Sequence, residues 1–178
     1  MDLFFLFALL KSGETANYKT AVVFINHALK GKSRQKILLE ALKSVFQDLL
    51  GITAKVNESA VTLNYSIDYR QDGVQIFLSI LVLSWMNKQK AQDHIDLLEK
   101  VRERCAAQDI FWLQAEVSAL LADLGHNFEE NKNRSGNIHR QCGTKTITDI
   151  IKPVPQWKKV LNSLIRMGEG EQNNLESG

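Results

Sequence analysis

The chain has 178 residues, 44% of them hydrophobic and 24% charged, with a formal net charge of +2. That is apolar material enough for one packed domain, which excludes wholesale disorder. Lys and Arg alternate with Asp and Glu along most of the chain, so the broad basic stripe of a dedicated nucleic-acid binder is excluded as well.

Leu3 to Lys11 opens the chain as a helix. It is too short for a secretory leader, and Asp2 stands where such a leader carries positive charge. A turn follows at Ser12 and Gly13. Tyr18 to Lys30 has a helical pattern, although Ala21 to Ile25 is also β-prone. From Arg34 to Leu50 the apolar residues Ile37, Leu38, Ala41, Leu42, Val45, Phe46, Leu49 and Leu50 recur as pairs four apart, one broad stripe on a 3.6-residue helix. Gly51 supplies the left-handed residue that ends it.

Val61, Leu63, Tyr65, Ile67 and Tyr69 alternate with polar residues, the period of a strand. A strand needs a ladder partner. Either the Ala21 region pairs with it or the alternation misleads, and the sequence leaves both open. Asp72 with Gln75 resembles a capping box and starts a helix to about Met86 that is apolar around most of its circumference. Such a helix belongs at the centre of a domain. Its apolar run is broken by Gln75, Ser79 and Ser84 and falls short of the roughly 20 residues that span a bilayer.

Ala91, Ile95, Leu98, Val101 and Cys105 make a helical stripe. After a break near Gln108 and Asp109, Ile110, Leu113, Val117, Leu120, Leu121 and Leu124 make another, which Gly125 stops. So short a connection predicts an antiparallel hairpin. From His126 to Gly143 the composition is polar and aperiodic, which reads as a solvated loop. Thr146 to Ile151 predicts a short turn or helix. Pro155 then suits a first helical position, with Trp157, Val160, Leu161, Leu164 and Ile165 as its stripe. Gly168 ends that helix, ahead of a disordered tail. The expected organisation is a helical domain over 1–125, a polar loop over 126–143, a C-terminal helical extension over 144–168 packing on the domain, and a tail over 169–178. The fold class is mainly α, an irregular array of helical hairpins with room for one small β element.

No constellation completes a catalytic, cofactor or metal site. Asn26 to Ser33 ends in Gly31-Lys32-Ser33, but Asn26 occupies the first-glycine position of a phosphate-binding loop and no later strand ends in a magnesium-holding carboxylate. A helix ending at Gly31, with Ser33 capping the next, is the simpler reading. His126, His139 and Cys142 lack a fourth zinc ligand. Asp93, Asp96, Glu99, Glu103 and Glu116 lie among basic residues and read as an exposed face. Trp85, Trp112 and Trp157 have apolar neighbours and read as packing residues, with a partner-binding role for one of them as the alternative. Cys105 has core spacing, and two distant cysteines form no disulfide framework, which points to a reducing, cytoplasmic setting.

Arg104-Cys105-Ala106-Ala107-Gln108-Asp109-Ile110-Phe111-Trp112-Leu113-Gln114-Ala115-Glu116, followed by Leu120-Leu121-Ala122-Asp123-Leu124, resembles the hairpin ahead of the ATPase motor in large bacterial Swi/Snf-type helicases. The run from Thr148 to Leu164, with Trp157 opening a helix, is similar to the closing stretch of the same region. The resemblance implies a non-catalytic helical accessory or scaffold segment. Its partner would be a protein, a helicase motor in cis or in trans, with nucleic acid engaged only indirectly and no membrane. Helicase and ATPase motifs are absent, so no catalytic residue, metal or cofactor carries over. Tetratricopeptide-type repeats share the Ala–Glu … Leu–Leu–Ala texture, which makes a protein-binding adaptor the main alternative. A degenerate nucleotide-binding protein is a third reading, resting on Gly31-Lys32-Ser33 alone.

Overall fold

The computed structural model describes residues 2–52, 59–142 and 146–151, with backbone only at 59–61 and 138–142. Among the described residues there are helices and no strand. In chain order they are α1 (Leu3–Lys11), α2 (Thr15–Leu29), α3 (Lys36–Leu49), α4 (Ser59–Ser66), α5 (Gly73–Met86), α6 (Lys88–Gln92), α7 (Ile95–Ala107), α8 (Phe111–Asp123), α9 (Phe128–Cys142) and α10 (Ile147–Ile150). No helix among these residues is long and apolar enough to cross a membrane.

The expected central helix is α5, buried at every residue from Ile76 to Met86. It packs against α1, α3, α4, α6, α7 and α8. A helix apolar all round has no face to give to water, so the others must surround it. Asp72 Oδ1 accepts the Gln75 amide N–H at 2.9 Å, one half of the expected capping box. The reciprocal half is missing, because the Gln75 side chain instead accepts a hydrogen bond from Gln35 Nε2 at 3.3 Å and ties α5 to the start of α3.

Two helix ends follow the glycine signals. Gly51 and Gly125 have φ of +72° and +81°. Beyond α3, Ile52 N–H donates to Gln47 O at 2.9 Å and Gly51 N–H to Asp48 O at 3.0 Å; His126 and Gly125 repeat the pattern on Leu121 and Ala122. These are Schellman closures, which satisfy carbonyls the helix leaves over. The helices α7 and α8 pack together across the turn at Gln108 to Ile110. Asp109 turns there with φ of +56°.

One reading that the sequence leaves open is resolved, and one expectation is corrected. The alternating segment forms no strand: Ser59–Ser66 is the helix α4, Ile67 to Tyr69 lie past its end, and Ala21 to Ile25, the prospective ladder partner, lies inside α2. Leu63 and Ile67, four apart, turn inward, while Tyr65 and Tyr69, also four apart, are exposed. A strand would have placed all four on one side. The polar segment 126–143 is not a loop, since α9 runs from Phe128 to Cys142. Among its described side chains the inward ones are Asn131 and Ser135, both buried. It packs along α8, whose buried residues here are small: Ala115, Ser118, Ala119 and Ala122. Small residues let the two backbones approach without the large apolar stripe that normally announces a helix.

The expected short helix at Thr146 to Ile151 is α10, with Thr146 Oγ1 accepting the Asp149 N–H at 3.2 Å. Ile147 and Ile151, four apart, are buried. The expected helix after Pro155 and the tail 169–178 lie outside the described residues.

Candidate interaction site

Glu116, expected on an exposed face, is fully buried. It sits on α8 amid apolar and small neighbours. One carboxylate oxygen pairs with Lys11 Nζ from the end of α1. The other accepts the Ile147 N–H at the start of α10 at 2.8 Å. Burial pushes its pKa above the ordinary value of 4.5, while the Lys11 and Ile147 hydrogen bonds pull it down and Asp149 nearby adds to the rise. A general acid or base must reach a substrate proton. This carboxylate is closed off from solvent and spent on two other helices, so it acts as a clamp.

A second polar cluster joins α7 to α9. Arg102 pairs with Glu99 one turn earlier. Arg102 Nη1 donates to Asn131 Oδ1 at 2.6 Å, and Asn131 Nδ2 donates to the His126 carbonyl at 2.8 Å. His126 Nε2 lies 2.8 Å from Glu99 Oε1. The imidazole considered for zinc is thus engaged by a carboxylate. No group of three or more His, Cys, Asp or Glu able to hold a metal occurs among the described residues; the side chains of His139 and Cys142 lie outside them. His94 Nε2 meets Asn64 Oδ1 at 2.7 Å, and burial lowers its pKa against the opposing pull of Asp93. Cys105 is buried and unpaired with another cysteine, and burial raises its thiol pKa.

Gly31-Lys32-Ser33 follows the end of a helix, with no strand before it. Lys30 N–H bonds to His27 O and Gly31 N–H to Ala28 O, both at 3.2 Å, so these amides are used in closing α2. Ser33 Oγ accepts the Gln35 N–H at 3.1 Å just before α3 begins at Lys36. A phosphate-binding loop needs converging free amides at a helix N-terminus. Here the Lys30 and Gly31 amides are occupied at a helix C-terminus. The segment nonetheless borders an open groove of about 560 Å³.

The tryptophans divide. Trp85 is buried in α5, its indole N–H without a hydrogen-bond partner among the described residues. It lines a small cavity of about 140 Å³ with Leu81, Leu120, Thr148 and Ile151. Trp112, at the start of α8, is 44% exposed, beside Phe111 at 56% and Phe4 at 52%. The Trp112 ring packs edge-on against Phe4 and Phe7 of α1, with centroids 5.3 and 5.2 Å apart. Trp157 lies outside the described residues.

Sequence reasoning missed Glu116 and Asn131. A signal for the first was present: between Asp109 and Asp123 it is the only charged residue, set in Ile110-Phe111-Trp112-Leu113-Gln114-Ala115-Glu116-Val117-Ser118-Ala119-Leu120-Leu121-Ala122. Asn131 had none, being one asparagine among several. Comparison with known proteins finds no matching family model, no matching curated protein and no matching solved structure.

Proposed function

We propose that the chain is a non-catalytic helical accessory or scaffold module that works by holding a protein partner, and that the partner is the motor of a Swi/Snf-type ATP-dependent helicase, in cis or in trans. The observation that carries the contact reading is the aromatic surface of Phe4, Phe111 and Trp112. Phe4 and Trp112 are in ring contact and both half in water, and Phe111 next to Trp112 in the chain is exposed as well, which favours a protein interface, where tryptophan anchors are enriched. The choice of partner rests on the sequence resemblance, and two observations support treating its two stretches as one unit. Thr148 and Ile151 share a cavity with Leu120, and α10 is clamped to α8 through Glu116. The tetratricopeptide alternative is less well supported. In an open solenoid each element touches its neighbours only, whereas here α1 packs on α5 and α10, and α5 is enclosed on all sides.

The test is binding of the purified chain to a bacterial Swi/Snf-type motor domain, followed by calorimetry. Saturable binding is expected, weakened by roughly tenfold or more when Phe111 and Trp112 are both replaced by Ala, the scale of an interface hot spot. Absence of binding, or binding untouched by the double substitution, refutes the reading. ATP turnover by the chain alone refutes its non-catalytic part.

A further inference from the structure

The overall charge is nearly balanced, but its distribution is not. Between Glu14 and Glu40 the chain carries Lys19, Lys30, Lys32, Arg34 and Lys36 and no acidic residue, so the remainder is net negative. Four of these cations fall at the end of α2, in the following turn and at the start of α3, all exposed. Among the described residues Lys30, Lys32 and Arg34 have no ion-pair partner, and Lys36 has only an exposed contact at 4.0 Å to Glu40.

Helix electrostatics account for part of this cluster and oppose the rest. Lys30 at the C-terminus of α2 suits the negative end of that helix dipole. Arg34 and Lys36 stand at the N-terminus of α3, where positive charge is disfavoured, and the first turn of α3 holds no acid to compensate. Of the cluster, Lys32 and Arg34 line the open groove of about 560 Å³, together with the apolar Phe24 and Ala28. Phe24 is held by Phe5, edge-on with centroids 5.1 Å apart. An apolar floor under an uncompensated cationic rim is complementary to apolar anchors flanked by carboxylates.

We infer that the groove at the α2–α3 turn docks an acidic peptide segment with apolar anchors, contributed by a partner protein. Phe24 and Ala28 receive the anchors, while Lys32 and Arg34 meet the carboxylates. Single-stranded nucleic acid fits less well: it is bound along a track of cations with bases stacked on open aromatic faces, whereas here the cations form one rim and the Phe24 ring is packed by Phe5. The site is separate from the Phe111–Trp112 surface and does not depend on the partner proposed there.

The test is fluorescence anisotropy of the full chain with a labelled peptide of about a dozen residues, Leu at every third or fourth position and Glu elsewhere. Two further probes are the same peptide with Lys for Glu, and single-stranded oligothymidylate. Saturable binding of the acidic peptide is expected, falling as salt rises and absent for the Lys peptide. Lys32→Glu with Arg34→Glu should weaken it by roughly tenfold or more. Both positions are exposed, and an unchanged far-UV spectrum and melting temperature verify that the variant is folded. Lack of saturable binding, equal binding by the charge-reversed variant, or tighter binding of oligothymidylate than of the peptide would each overturn the assignment.

Discussion

Replacing Lys11 by Met keeps the length and apolar stem of the side chain and removes only the ammonium that faces Glu116. Breaking a buried ion pair from one side costs about 3–5 kcal/mol, because a charge is left in a poor solvent. Glu116 has an escape, which is to take up a proton. Holding a proton on a group whose ordinary pKa is 4.5 costs about 1.4 kcal/mol for each pH unit above that value. The electrostatic penalty of Lys11→Met therefore cannot exceed about 3 kcal/mol at pH 7 and about 1 kcal/mol at pH 5, on that same slope. The Ile147 N–H, which still donates to the carboxylate, keeps the actual values below these ceilings.

The sign follows from linkage. Burial raises the folded pKa of Glu116 above its unfolded value, so the folded state binds the proton more tightly. The stability this contributes is complete below the unfolded value and is lost as pH rises through the folded one. Lys11→Met pushes the folded value further up and widens that window. In urea unfolding followed by tryptophan fluorescence, the variant should lose about 2–3 kcal/mol relative to wild type at pH 7 and under about 1 kcal/mol at pH 5. A penalty independent of pH would mean that lost packing, not an uncompensated carboxylate, is responsible. No penalty at pH 7 would mean that the clamp does not hold α1 to α8.

Asn131→Ala removes a fully buried amide that accepts from Arg102 and donates to the His126 carbonyl; about 2 kcal/mol should be lost, with faster hydrogen exchange along α9. Leu63→Asp and Tyr65→Asp test the helix α4: the first buries a charge and should lower the melting temperature by several degrees or unfold the protein, while the second, at a position 82% exposed, should change it little. Equal effects would favour the strand that the alternation suggests. Gly125→Ala should cost about 1 kcal/mol by thermal melting, since φ is +81° and strain is the only penalty: an added Cβ meets nothing within 4 Å.

Where burial is made by large apolar side chains, the fold was legible. The stripes of α3, α7 and α8, the all-round apolarity of α5 and the glycines at Gly51 and Gly125 each name an element and its end. One segment misled and another stayed undecided because period counting registers apolar residues and cannot tell a buried polar one from a solvated one. In α9 the inward positions among the described side chains are Asn131 and Ser135, with hydrogen bonds in place of apolar burial for the asparagine, so this part of the helix shows no apolar stripe to read. In α4 the buried Leu63 and the exposed Tyr65 lie two apart, and the alternation continues past the helix end through the partly buried Ile67 and the exposed Tyr69.

The same blindness hid the polar joints, and these decide how the helices are held. Hydrophobic contact can hold helices together over a range of relative positions, because burial is nearly indifferent to small slides. A carboxylate that must meet both an ammonium and a backbone N–H is not indifferent, since a displaced partner leaves a buried polar atom unpaired at about 1–3 kcal/mol. Glu116 fixes α1, α8 and α10 in one arrangement, and Arg102 with Asn131 does the same for α7 and α9. The proposed aromatic surface depends on this. Phe4 comes from α1 while Phe111 and Trp112 come from α8, so the patch exists only while those helices keep their mutual register. Lys11→Met should therefore weaken partner binding at pH 7 and spare it at pH 5, even though Lys11 belongs to the buried clamp and not to the aromatic patch.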